Sequence, residues 1–234
     1  FIGGFSAGGN LGLQLGKYLT KKENYKNNLK GIFVIDSPID LQQLYLKYEK
    51  KLVEEESGSI EYFFNILEKQ IGNPKKDFEK YKEYSPYLST IAYTENVEFE
   101  NTELIFYTEP ALKYRKKNFK QNFEDSNGYQ IKKLSELLIK KGYKSKYIET
   151  ENKGYRKNGM RNPHSWSIMN ENEIIHASGK VRIDKIDHQG IFNVDTNTYS
   201  HKLRLIKQII WLPDSCIFFE ISFGIFGVSA FYNQ

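Results

Sequence analysis

Apolar positions fall into two alternating rhythms along the first two thirds of the chain. Residues 1–5 and the run Gly31-Ile32-Phe33-Val34-Ile35 are nearly continuous apolar stretches. Such runs suit strands of a parallel sheet that is covered on both faces. Between them Ala7, Leu11, Leu15, Tyr18 and Leu19 recur at helical spacing. Lys17, Lys21 and Lys22 gather near the end of that stretch, where cations complement the helix dipole. Strand, helix, strand is a βαβ unit, so a right-handed crossover is expected.

Asp36 closes the second strand. Ser37-Pro38-Ile39-Asp40 then reads as a helix start, with Ser37 as N-cap, Pro38 at the first helical position and Asp40 completing a capping-box pattern. Leu41, Leu44, Tyr45, Tyr48 and Leu52 make one helical face, which Ser57-Gly58-Ser59 interrupts. A second helix follows with Ile60, Phe63, Phe64, Ile66, Leu67 and Ile71, ending at Gly72-Asn73-Pro74, and a third spans about 75–84. These helices stand between two strands and read as a cap insertion over about 38–100. Residues 103–108 predict the next strand, 113–120 a basic loop, and Ile131, Leu134 and Leu138 a helix that stops at Gly142. Residues 144–149 predict a last strand. Beyond about residue 176 this rhythm stops. Residues 181–184 suit a strand, 199–211 a helix or a strand, and 217–232 form an apolar, aromatic stretch.

The helix-like run after the first strand is preceded by Gly4-Phe5-Ser6-Ala7-Gly8, a G-x-S-x-G pattern between a strand and a helix. A nucleophilic serine at such a turn needs small residues two before and two after it, because strand and helix cross closely there. The amide of Ala7 then faces the place where a tetrahedral oxyanion forms. Far downstream lies Pro163-His164-Ser165-Trp166, a loop histidine after the last strand of the α/β rhythm.

Elbow, strand-end acids and late histidine follow in the order nucleophile, acid, base. With the segment from Asn152-Lys153-Gly154-Tyr155-Arg156 to His164-Ser165-Trp166-Ser167-Ile168, residues 1–170 resemble bacterial esterase-like α/β-hydrolases. The resemblance implies an α/β-hydrolase-like, mostly parallel sheet with flanking helices and a helical cap. It implies Ser6 as nucleophile, His164 as general base and the Ala7 amide as one oxyanion donor. The family's acid commonly follows the strand that ends here at Thr108, at the position of Ala111. Asp125, ahead of the next helix, is the first choice for the acid, Glu109 the second and Asp36 the third. In the family the other oxyanion donor comes from an earlier loop. The N-terminal strands and that loop are therefore expected to be missing, leaving a partial domain over 1–176 and a tail of different character over 177–234. The implied activity is hydrolysis of a small-molecule carboxylic ester through an acyl-enzyme, which needs no cofactor. The same residues would serve a serine peptidase, and a non-catalytic binding protein could keep the fold. The cap aromatics Tyr45, Tyr48, Phe63, Phe64 and Tyr84 are expected to shape an apolar acyl or aryl pocket.

Composition changes this picture little. Hydrophobic residues are 39% and charged residues 27% of the 234, with 17 Tyr and 16 Phe to build a core. The net charge of +5 is spread over pairs such as Lys21-Lys22, Lys75-Lys76, Lys116-Lys117 and Lys140-Lys141, read as solvated surface. No basic block interleaved with aromatics points to nucleic acid. Cys216 is the single cysteine, so neither an internal disulfide nor a cysteine zinc site is available. The most apolar stretch, 216–232, contains Glu220 and is not read as a membrane span.

Overall fold

The structure, a computed structural model, describes residues 1–22, 29–54, 57–92, 99, 101–156 and 158–169, and the strand residues 208–212, 216–223 and 226–233. The strands expected from the apolar runs are present as β1 (Ile2–Phe5), β2 (Gly31–Ile35), β3 (Glu103–Thr108) and β4 (Ser145–Glu149). They pair in parallel in the order β4-β3-β2-β1. Strand alternation splits their side chains into two cores. Ile32, Val34, Leu104 and Phe106 share one core with Leu13, Ile131, Leu134 and Leu138. Phe33, Ile35, Ile105 and Tyr107 pack with Phe5, Ile168 and Trp166 in the other. Burial on both faces is why β1, β2 and β3 read as largely apolar runs, whereas the edge strand β4, Ser-Lys-Tyr-Ile-Glu, has no buried residue.

Six α-helices of four or more residues surround this sheet among the described residues: α1 (Ala7–Thr20), α2 (Leu41–Glu54), α3 (Gly58–Gln70), α4 (Phe78–Tyr84), α5 (Leu112–Phe119) and α6 (Asn127–Lys140). The protein is therefore α/β, with these four strands forming an all-parallel set flanked by helices. α1 buries only part of the face expected from its large side chains: Leu19 enters the core and Leu15 packs against it, but Ala7 is exposed. Tyr18 is also exposed, and the buried face carries Gly9, Gly12, Leu13, Gly16 and Thr20. Glycines carry no hydrophobic signal, yet they let a helix lie close on a strand.

Helix α2 starts three residues later than expected. Ser37-Pro38-Ile39 runs as an irregular segment, in keeping with the bias of a residue before proline away from helical geometry. Asp40 is the cap: its Oδ1 accepts from the Gln43 amide at 3.0 Å, and its carbonyl accepts from the Leu44 amide at 3.0 Å. Its Oδ2 accepts from both the amide and the hydroxyl of Ser89, tying the start of the helical insertion to its end. The expected basic loop at 113–120 is helix α5 instead, with no buried residue. A short helix without an apolar face leaves no periodic trace in the sequence.

Helices α2 to α4 hold a small core of their own, built on Tyr45, Leu67, Ile71, Tyr81 and Leu88. The buried tyrosine hydroxyls are partnered. Tyr45 Oη donates to Glu68 Oε2 at 2.6 Å, and Tyr81 Oη donates to the Gly72 carbonyl at 2.7 Å.

The edge of β1 opposite β2 is met by the later strands β5 (Gln208–Leu212), β6 (Cys216–Phe223) and β7 (Phe226–Asn233). β7 pairs antiparallel with β1, and β6 and β5 continue the sheet outward as antiparallel neighbours. The 217–232 stretch thus contains most of two strands, and 199–211 contributes a strand at its end. The strand expected at 181–184 and the histidines at 176, 188 and 201 lie outside the described residues. Among the described residues no helix is long and apolar enough to cross a membrane.

Candidate active site

The C-terminal ends of β1, β2 and β3 deliver Ser6, Asp36 and Glu109 to one rim of the sheet. Ser6 stands between β1 and α1 with φ 55° and ψ −130°, a region that non-glycine residues rarely occupy. Two features hold it there. Its amide donates to the Ile35 carbonyl at 2.9 Å, carrying the sheet pairing one residue past the strand. The chain also reverses so tightly that a Cβ on Gly4 would overlap the Gly8 carbonyl and lie 2.6 Å from the Gly9 nitrogen. Only glycine fits at position 4, as the motif requires.

His164 reaches this turn from the loop after β4. Its ring packs 4.5 Å from that of Phe5, and the Trp166 ring lies 5.5 Å from that of Phe5, tilted by 42°. Nε2 lies 3.0 Å from Ser6 Oγ, and Nδ1 lies 2.7 Å from Asp36 Oδ2. An ionised carboxylate only accepts, so Nδ1 carries the proton toward Asp36, and Nε2 is left to accept from the Ser6 hydroxyl.

Asp36 is almost wholly buried, at 1% exposure. Burial on its own raises a carboxyl's pKa. Here the hydrogen bond and charge of His164, with the cations Arg115 and Lys47, outweigh it and hold Asp36 below the usual value. Arg115 Nη2 lies 3.4 Å from Asp36 Oδ2. The Asn127 side chain donates to the Asp36 carbonyl at 2.9 Å. The second carboxylate oxygen, Oδ1, is buried with no hydrogen-bond partner among the described residues.

The acid first chosen from the sequence, Asp125, does not meet His164. It is exposed in the turn before α6, where its Oδ2 accepts from the Asn122 amide at 2.9 Å and its carbonyl accepts from Lys47 Nζ at 2.8 Å. It closes a turn, as aspartates before Ser-Asn-Gly commonly do. Glu109 is buried at the end of β3 but faces the other way, toward Arg161 and the amides of Lys153 and Gly154. The contact falls to Asp36, the third choice. Its signal was position: the first residue after a fully apolar strand that adjoins the nucleophile's strand. Ala111, where the family's common pattern would set an acid, caps α5 with φ 42°. Ala7 opens α1, where first-turn amides have no acceptor within the helix. Sequence reasoning missed Arg115, Asn127 and Arg161, because an isolated cation or amide in a polar segment carries no pattern.

A cleft of about 390 Å³ opens beside this rim, between α2 and the α5–α6 connection. Pro38, Ile39, Leu44, Lys47, Phe119 and Asn127 are among its walls; Ser6 is not. The cap aromatics do not line it. Tyr45 packs on Phe64 at 4.9 Å and on Tyr81 at 6.1 Å, Tyr48 stacks with Phe63 at 6.2 Å, and Tyr84 is exposed. Their apolar surface is spent on holding the helical insertion together. Among the described residues no three His, Cys, Asp or Glu side chains group as metal ligands.

The fold and site together define an α/β protein with a serine, a histidine and a buried aspartate in hydrogen-bonded series. A scan against protein-family models and a search of curated proteins each return no match for this chain.

Proposed function

We propose that this protein is a serine hydrolase of the α/β-hydrolase type that cleaves a carboxylic ester through an acyl-enzyme on Ser6. The observation that carries the reading is the series Ser6 Oγ, His164 Nε2 at 3.0 Å, and His164 Nδ1 to Asp36 Oδ2 at 2.7 Å, with Ser6 held at φ 55°. A serine hydroxyl is a weak nucleophile until a base takes its proton. In the proposed first step Ser6 Oγ bonds to the acyl carbon while its proton moves to His164 Nε2. The electron pair of the carbonyl moves onto oxygen, toward the amide of Ala7 and the positive end of α1. Collapse breaks the bond to the alcohol, which leaves with the proton from His164. Water then repeats the sequence on the acyl-enzyme, returning Ser6 and releasing the acid. Asp36 stays ionised throughout, fixing the tautomer and stabilising the imidazolium. Its depressed pKa supports that role.

The acid assignment is tested by comparing two isosteric variants on an activated ester such as a p-nitrophenyl acyl ester. Asp36→Asn is expected to lower kcat by on the order of 10³- to 10⁴-fold, because an amide there favours the wrong imidazole tautomer. Asp125→Asn is expected to leave kcat near the wild-type value. The reverse ranking would return the acid to Asp125.

A further inference from the structure

Among its described residues the loop that carries His164 holds only one β-bridge and a short 3-10 turn at Trp166–Ile168, yet the His164 ring must be placed between two strand ends. Three contacts from the loop converge on one buried carboxylate. Glu109, at 1% exposure, accepts from the Gly154 amide at 2.6 Å and from the Lys153 amide at 3.2 Å through Oε2. Its Oε1 pairs with Arg161 Nη2. The same guanidinium donates through Nη1 to the Gly154 carbonyl at 2.5 Å, so one ion pair grips both limbs of the loop. The limbs are also joined to each other. The Asn162 amide donates to the Gly154 carbonyl at 2.8 Å, and Tyr155 and Arg161 form an antiparallel bridge. Beside the pair, Arg161 lies over the rings of Tyr155 and Tyr114 at 5.1 and 5.7 Å, and Tyr114 Oη donates to the Arg161 carbonyl at 2.9 Å.

From this clamp to the histidine is a short rigid step. Asn162 Nδ2 donates to the His164 carbonyl at 2.7 Å, and only Pro163, with its fixed φ, lies between them. At Gly154 a Cβ would lie 2.5 Å from the Asn162 carbonyl and 2.7 Å from Pro163 Cα. The limbs therefore pack backbone to backbone beneath His164.

We propose that Glu109 and Arg161 are positioning residues: their ion pair, built on the buried Glu109, fastens the 153–162 loop to the end of β3 and thereby sets the His164 ring between Ser6 and Asp36. The inference rests on the hydrolase reading above and adds to it a role for an acid that makes no contact with the histidine. Glu109 sits where β3 ends, and it acts by holding the base's loop while Asp36 orients the base itself. Neither residue of the pair touches Ser6, so their loss acts on geometry and leaves the nucleophile's own environment intact.

The test uses the full chain with Glu109→Gln and Arg161→Lys. Glu109→Gln keeps an acceptor for the two amides but removes the charge that Arg161 answers. Arg161→Lys keeps the charge but cannot hold Glu109 and the Gly154 carbonyl together, because an ammonium lacks the planar fork. For each variant that keeps the wild-type circular dichroism spectrum, two quantities are read. One is the split between kcat and KM for a short p-nitrophenyl ester. The other is the far-downfield proton resonance of His164 Nδ1–H bonded to Asp36. A displaced base is expected to lower kcat about 10- to 100-fold with KM little changed, and to weaken or remove the resonance. If one variant fails to fold, the other decides. A folded variant with kcat within about threefold of wild type and an intact resonance overturns the positioning role and leaves the hydrolase reading standing. A wild-type protein that neither hydrolyses the ester nor acylates Ser6 overturns both.

Discussion

Around the end of β2, burial and the neighbouring cations act against each other on Asp36 and together on Lys47. Asp36 is held below the usual carboxylate range because His164, Arg115 and Lys47 outweigh its desolvation. Its stabilising contribution is therefore complete at neutral pH and is lost as pH falls through its depressed folded-state value. Lys47, half-buried on the cleft wall, is lowered as well, but for a lysine that shift disfavours the charged form. Burial and the charges of Arg115 and Lys51 push it down to about 8, against the pull of Asp125 and Asp36. A lysine with a depressed folded-state pKa binds fewer protons folded than unfolded between that value and the ordinary 10.5. Stability should thus gain a rising component with pH from about 8 to 10, before the tyrosines ionise in the unfolded chain. Lys47→Met should remove it. Denaturant midpoints compared at about pH 7.5 and about pH 9.5 check this. Wild-type and variant curves that run parallel would show that Lys47 titrates ordinarily.

The elements differ in how plainly the sequence announces them, and the reason is physical. β2 and β3 are buried on both faces, so their apolar runs mark them at nearly the right bounds. α1 is visible as a helix, but only part of its buried face is. The residues it turns to the sheet are Gly9, Gly12 and Gly16 beside Leu13, chosen for closeness rather than hydrophobicity. α5 is invisible because it buries nothing. α2 begins at Leu41 rather than Pro38 because the cap is Asp40, held by Ser89 from 49 residues away, a contact no local pattern contains. The elbow is the most legible element, since its spacing follows from a backbone crossing that excludes any Cβ. Gly4→Ala tests that crossing. The added methyl meets backbone atoms of Gly8, which cannot give way as a side-chain tip can. A loss of roughly 3 kcal/mol or failure to fold is expected, at the upper end of the usual cost of overpacking. Thermal melting near the wild-type temperature would mean that strand and helix cross less closely than described.

Across the whole molecule, the parallel sheet does for the site what the sequence alone cannot display. Ser6, Asp36 and His164 are separated by up to 158 positions, yet consecutive parallel strands release two of them at one rim, and the loop after β4 returns the third. Ser6 and His164 were legible because each sits in a local motif. The carboxylate that meets His164 was not, since Asp36, Glu109 and Asp125 all stand where the chain leaves a strand or enters a helix. Which of them meets the imidazole is decided by side-chain direction and by prior engagement. Glu109 is taken up by Arg161 and two amides, Asp125 closes its own turn, and Asp36 points at Nδ1. The helical insertion likewise turns Phe64 and Phe78 inward with Tyr45 and Tyr81, and the cleft beside the rim is walled by charged and aliphatic side chains with Phe119.

The central claim is that Ser6 is a nucleophile activated by His164. A fluorophosphonate bonds covalently only to an activated serine, so intact mass and peptide mapping after treatment read the claim directly. The account predicts a single adduct on Ser6, none in Ser6→Ala, and a labelling rate lowered by orders of magnitude in His164→Ala. A folded wild-type protein without an adduct on Ser6, or equal labelling rates in wild type and His164→Ala, would contradict it.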